Sequence, residues 1–388
     1  MRFLFIDANY PAFLEAVYRD HPGLAAASYG EQGAQIRAGM FGEAAFQADA
    51  LRTLGHEAEV VVTNAHPAQR AWAQEHSMAH LTRTRWSFRL RRGVVPWLSR
   101  RRADTAWEIV IAQAQAYRPD VLYVAILDTT PAAVVARLRE SARLVVAQVA
   151  TTIPDRTYRD YHLILSSIPQ IVDRFRRASI AAELVPLAFE PAVLDQVSVS
   201  SRDVPVSFVG SFTDAYLDRV QIVEAVARVA PMQTWTADRA YLPSDSAIIP
   251  TIRGSAFGRD MYTVLARSQL TLNSHGRVAG PDANNLRLYE ATGMGALLVT
   301  DHRDNLNSLF NVGSEILSFR TPAEAAELVR YHLDHPSETA RIAAAGQART
   351  LRDHTWADRM ERLVSTVQVR LRLQTPTPNR AAGPGRRA

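Results

Sequence analysis

The sequence contains no cysteine and no lysine. Without thiols there is no disulfide, no thiolate zinc site and no cysteine nucleophile. Without lysine there is no Schiff-base amine and no Walker lysine, and the 44 basic residues are all arginine. Arginine alone must then neutralise any bound phosphate. No apolar run approaches the roughly 18 residues of a membrane span, and the FLFI run near the start stops at Asp7, too soon for a signal peptide. These features lead to the expectation of a cytoplasmic protein. No G-x-G-x-x-G follows the first strand, which argues against a dinucleotide enzyme. The absence of H-E-x-x-H, zinc-ligand spacing, G-x-S-x-G and an EF-hand loop leads us to expect no metal site.

What is present suits an ordinary globular enzyme. A chain of 388 residues suggests two domains, 47% hydrophobic content supports sizeable cores, and a net charge of +5 is mild over this length. Nucleic acid is therefore not an expected partner. Apolar runs bounded by turn residues alternate with helical spacing from the first strand, residues 2–6, through to about residue 187. A Pro/Ser/Asp-rich change-over at 189–202 leads into a second α/β series. The fold class expected is α/β: two Rossmann-like domains facing a cleft. Residues 1–187 form the first, 188–355 the second, and a last helix at about 356–373 follows a Thr355-x-x-Asp358 cap. The Pro/Gly/Arg-rich tail, 374–388, reads as disordered.

The second series is organised around residues 271–301, read as strand, loop, short helix (285–292) and strand, with Asn284 as N-cap and Gly293 as stop. A helix start at a parallel-sheet edge favours an anion. Asn284 and Asn285, with the loop Gly210–Ser211 after another strand, are the candidate phosphate donors. Arg219, Arg253, Arg277 and Arg287 are candidate neutralising charges. Glu290 either accepts two ribose hydroxyls or pairs with Arg287 three residues earlier. Asp282 lies eight positions before Glu290, either a sugar contact or a turn cap. His275 falls at a strand end, and Asp128 and Asp7 end strands of the first domain, where they could orient an acceptor.

Between Arg83 and Arg102 lie eight arginines and no acid, interleaved with Trp86, Phe88 and Trp97, and Pro96 rules out one continuous amphipathic helix. The segment reads as a solvated linker or helix pair, or as a docking surface for anionic lipid or an anionic acceptor at the inner membrane face.

Several runs together resemble the spore-maturation-protein (CgeB-type) glycosyltransferases of the GT-B superfamily. They include LAFEP (187–191), SFVGSF (207–212), RGSAFGRDMYTVLARSQLTLNSHGR (253–277), NNLRLYEATGMGALLVTD (284–301), LFNVGSEILSF (309–319) and HTWADR (354–359). The resemblance spans residues 186–363 in order and is weaker in the first half. It implies a nucleoside-diphosphate sugar donor, a UDP-sugar favoured, held by the C-terminal domain. It also implies an acceptor (glycan, lipid-linked or protein) on the N-terminal domain and a last helix crossing back. Asp282 and Glu290 match a pair of acids that contact donor sugar and ribose in retaining members, though the first is usually glutamate. No permanently bound cofactor and no metal are implied. Two other readings stay open: a non-catalytic docking protein on a degenerate scaffold, and a nucleotide-sugar epimerase.

Overall fold

The computed structural model describes residues 1–82, 85–91, 95–101, 105–151, 158–213 and 217–374. The first half contributes β1 (Arg2–Asp7), β2 (Glu57–Val62), β3 (Arg85–Arg91), β4 (Val95–Arg101), β5 (Val121–Val124), β6 (Leu144–Gln148), β7 (Leu163–Ser166) and β8 (Ala182–Leu184). Six of these form one parallel sheet in the order β2-β1-β5-β6-β7-β8. The second half contributes β9 (Val204–Val209), β10 (Met232–Trp235), β11 (Ile252–Gly254), β12 (Ser268–Asn273), β13 (Leu297–Asp301) and β14 (Leu317–Phe319). They form a second parallel sheet, β11-β10-β9-β12-β13-β14. Strands such as VLYV (β5) and LILS (β7) are buried at every residue, as expected where helices cover both faces of a parallel sheet. The two-sheet α/β expectation therefore holds.

Both sheets are doubly wound. In the first, the strand order reverses between β1 and β5; in the second, between β9 and β12. Crevices form at the carboxyl ends of strands flanking such reversals. Asp7 ends β1, Val209 ends β9 and Asn273 ends β12, which sets the place to look for chemistry.

Several local expectations need correction. The residues after the first strand, which the sequence reads as a long loop with Asp7, Asn9 and Tyr10, contain helices Pro11–Asp20 and Tyr29–Ala38, the second held by a capping box between Ser28 and Glu31. Within the arginine-rich segment, β3 and β4 pair antiparallel, Trp86 opposite Arg100 and Phe88 opposite Leu98, so neither a linker nor a helix pair is formed there. Arg83, residues 92–94 and Arg102 lie outside the described residues, as does the tail from 375. The helix expected at 285–292 spans Arg287–Gly293, and Asn284 does not cap it. Instead the Asn285 Oδ1 accepts the Arg287 N–H at 2.8 Å. The left-handed residue that ends this turn is Gly295 (φ 74°), not Gly293.

One core runs through both halves. Phe3, Phe5 and Leu51 of the first half share it with Leu288, Phe310 and Met294 of the second. The last helix, Trp356–Gln374, adds Trp356, Met360, Leu363, Val367 and Leu371 to it. This stripe at spacings of three and four residues faces the helix Glu43–Thr53 of the first half. The chain's two passages between halves meet at Phe189. Its N–H donates to the His354 carbonyl (2.9 Å) and its carbonyl accepts from Trp356 (3.0 Å). Its fully buried ring sits on Gly293, where an added Cβ would fall 2.6 Å from ring carbons. Gly293→Ala should therefore overpack this seat and cost about 1–3 kcal/mol, seen as a lowered denaturation midpoint at unchanged m value; a midpoint equal to wild type would show that the seat gives way freely.

Candidate active site between the two sheets

A cavity of about 210 Å³ opens between the sheets at the end of β1. Asp7, Asn9, Glu43, Gln47 and Gln148 form its first-half wall, and Met261, Tyr262, Leu286 and Glu290 its second-half wall. Gly258 permits the walls to approach: at φ 49° it lies against the backbone of Gly39, where a Cβ would meet the carbonyl oxygen at 1.9 Å, and the next N–H, of Arg259, donates to that oxygen at 3.0 Å. Aromatic rings of both halves close the same edge, with Phe41 5.6 Å from Phe257 and 5.4 Å from Tyr10.

Three carboxylates face this space. Burial pushes Glu43 up to about 7; the Gln148 amide donating to it (3.1 Å) opposes the rise, and the charges of Asp7 and Glu290 add to it. Burial likewise pushes Asp7 up to about 6 against a hydrogen bond from the Ala8 backbone. Glu290 is also raised by burial, opposed by Arg287, whose Nη1 donates to its Oε2 at 2.7 Å, and by the Tyr262 hydroxyl. The pairing of Glu290 with Arg287 is thus formed, and the same carboxylate lines the cavity.

The other candidates are distributed along the strand ends of the second sheet. Arg287 is largely consumed, since its Nη2 also donates to the Val209 carbonyl (3.3 Å). Arg219 is buried and joins two loops, donating to the carbonyls of Ser211 (2.8 Å) and Ser274 (2.6 Å). Gly210 leaves room for that guanidinium and for the Phe208 ring. Asn285 holds the end of β12 through the Asn273 Oδ1 (3.0 Å), while Asn284 is half-buried beside it. Arg277 is exposed and, among the described residues, pairs with Asp218 (3.3 Å). Arg253, also exposed, donates to the Pro250 carbonyl at 3.4 Å.

His275 is buried. Its Nδ1 lies 2.6 Å from Asp301 Oδ1, which also accepts the His275 backbone N–H (2.9 Å), and its Nε2 has no hydrogen-bond partner. Burial works to raise the Asp301 carboxyl, but the His275 and Arg303 hydrogen bonds override it and hold it at about 2. Asp282 accepts from Gln170 of the first half at 2.5 Å, closing the cleft at that point. Asp128 is exposed, bonded by the N–H of Thr129, and lies outside the cavity lining. Glu43 and Gln148 were not singled out from the sequence. An acid in the first turn of a helix and a glutamine ending a strand carry no distinctive pattern, and only the juxtaposition of both halves brings them together.

Comparison with known proteins speaks to the second half first. Residues 208–365 match the glycosyl transferase-like family. No curated protein sequence matches the chain. Among solved structures, Alr3699/HepE of Anabaena in complex with UDP and glucose superposes with a TM-score of 0.57 at 13% identity, covering 95% of this chain and 100% of that one. A glycosyltransferase from Rickettsia africae gives 0.58 at 10% identity, with 95% and 98% covered. The pneumococcal O-GlcNAc transferase GtfA in complex with UDP and GlcNAc gives 0.56 at 9% identity, with 96% and 99% covered. At such identities the likeness speaks for the fold, and the fold is GT-B.

The raised carboxyls fix a pH dependence. Folded Glu43 and Asp7 hold protons that the unfolded chain has already released above about pH 4.5. Stability should therefore fall as pH rises from about 4 through 7. Glu43→Gln keeps an acceptor for the Gln148 amide and removes one charge. It should be more stable than wild type by on the order of 2 kcal/mol at pH 8, with a flatter dependence between pH 5 and 8 in urea titrations. An equally steep profile in the variant would contradict the burial of Glu43.

Proposed function

We propose that the chain is a glycosyltransferase that moves a sugar from a nucleoside-diphosphate sugar to an acceptor held by the first half. The observation that carries this reading is the position of Glu290: it lies within the segment matching the glycosyl transferase-like family and lines the cavity shared by the two sheets. The complexes of HepE with UDP-glucose and of GtfA with UDP and GlcNAc support a UDP-sugar as donor. In this reading residues 188–355 bind the donor and residues 1–187, with the returning helix, bind a glycan, lipid-linked or protein acceptor. The enzyme is CgeB-type, retaining, metal-independent and cytoplasmic; among the described residues no helix is long and apolar enough to cross a membrane.

The roles follow from what each group has left to offer. Glu290, oriented by Arg287, accepts the ribose hydroxyls. Diphosphate charge falls to exposed Arg277, because Arg287 and Arg219 are engaged elsewhere, and the half-buried Asn284 is a further side-chain donor. His275, held by anionic Asp301, is aimed at stabilising the departing phosphate through its free Nε2. Asp282 contacts the donor sugar once Gln170 releases it, which couples donor entry to cleft opening. Asp128 has no part in this site.

Glu290→Gln keeps a carbonyl oxygen to accept from Arg287 while removing its counter-charge, so the variant is first checked for a cooperative thermal transition. In calorimetric titrations with UDP it should bind at least tenfold more weakly, the loss expected when a charged acceptor is removed from a pair of hydroxyls. Unchanged UDP affinity would sink the ribose role.

A further inference from the structure

The first-half wall of the cavity has a chemistry that a nucleotide does not satisfy. Asp7 and Glu43 line it, Glu290 faces them from the opposite wall, and among the described residues no arginine or histidine lines the cavity. Arg287, bonded to Glu290, compensates one of them from behind, so two negative charges remain when all are ionised. A diphosphate would be repelled from such a space. The amides behind the carboxylates are turned to the same end. The Tyr123 hydroxyl donates to the Gln148 Oε1 (2.5 Å), the Gln148 Nε2 donates to Glu43, and Gln47 hydrogen-bonds Tyr123 from the other side. Gln47 lines the cavity at 1% exposure, and its Oε1 has no hydrogen-bond partner among the described residues. A buried carbonyl oxygen left unsatisfied in this way costs free energy unless something donates to it.

Five aromatic residues also line it, Tyr10, Phe41, Phe46, Tyr262 and Trp356, beside aliphatic neighbours such as Met40, Met261 and Leu286. Carboxylates combined with aromatic faces are the surroundings in which an organic cation is held, by ion pairing and by the negative faces of the rings. Among the described residues, no three His, Cys, Asp or Glu side chains converge closely enough to hold a metal ion. A volume of about 210 Å³ is small beside the roughly 300–1,000 Å³ of drug-sized pockets. It suits one sugar ring or a comparable group.

We infer that this cavity recognises the acceptor through a primary ammonium group, with Asp7 and Glu43 as its counter-charges and the Gln47 carbonyl as a third hydrogen-bond acceptor. The acceptor is thus an amine-bearing molecule of monosaccharide size, or a larger one ending in such a unit. The inference rests on the transferase reading and adds the acceptor's chemical class to it. Asp7 and Glu43 act here in recognition, and no proton transfer is assigned to them.

The test is saturation-transfer NMR and calorimetry on the full chain with D-glucosamine, and with D-glucose and N-acetylglucosamine as neutral controls, with UDP titrated separately. Wild type should bind glucosamine at least tenfold more tightly than either control. The double variant Asp7→Asn/Glu43→Gln, checked for a cooperative thermal transition, should lose that preference while its UDP affinity stays unchanged. Gln47→Leu, which leaves both carboxylates in place, should weaken glucosamine binding by a smaller factor. Equal binding of the three sugars by wild type, or a glucosamine preference that survives in the double variant, overturns the inference. The transferase reading is judged apart from this, since it fails only if neither UDP nor any other nucleoside diphosphate binds.

Discussion

The ring of Phe189 on Gly293 sets the geometry on which the rest depends. The chain crosses between its halves twice, once after β8 and once into the last helix, and both crossings are hydrogen-bonded to each other at this residue. Gly293 lies in the same short helix as Glu290, three residues on. The seat that fixes the two sheets therefore also fixes the depth at which Glu290 meets the cavity. Gly258 against Gly39 does the same from the other side of the cleft. With two backbone-close contacts and a core shared by both halves, the cleft has a defined width where the carboxylates face each other.

That width has an electrostatic consequence. Burial raises the proton affinity of both Glu43 and Asp7, and the neighbouring charges of Asp7 and Glu290 add to the rise at Glu43. Meanwhile the positive groups of the second half are spent on structure: Arg219 on two loop carbonyls, Arg202 on the carbonyls of Ala266, Ser268 and Met294. Arg277, by contrast, is exposed, with Asp218 at 3.3 Å. The acidic groups Asp7, Glu43 and Glu290 gather instead at the cavity between the sheets.

The fold was legible in the sequence because its signal is local and repeated. Each β–α unit announces itself by an apolar run, a turn and a helical stripe, and the Thr355–Asp358 cap is formed as read, its hydroxyl 2.7 Å from the carboxylate. The second half was the more legible, carrying contiguous motifs around residues 271–301. Helix Tyr29–Ala38 escaped notice because its apolar positions are few, Ile36 being its one buried large aliphatic residue. The short helix start was misplaced because Asn284 and Asn285 are chemically equivalent caps and only tertiary contacts to Asn273 decide between them. Asp282 and Glu290 stand out by their spacing, and of the two Glu290 lines the cavity while Asp282 is bonded to Gln170. Glu43, Gln47 and Gln148 do not stand out, since they come from separate elements and acquire meaning only through burial against the opposite half.

The central claim is that this cleft holds a nucleoside-diphosphate sugar, and a ligand screen on the unmodified chain tests it most directly. Melting temperatures measured with UDP, other nucleoside diphosphates and their sugars at concentrations well above binding should rise by a few degrees for at least one, since a ligand at 100 times its Kd adds about 2.7 kcal/mol. The account predicts a saturable rise for a nucleoside diphosphate and its sugar, UDP first. No shift with any of them, in a protein that unfolds cooperatively, would contradict it.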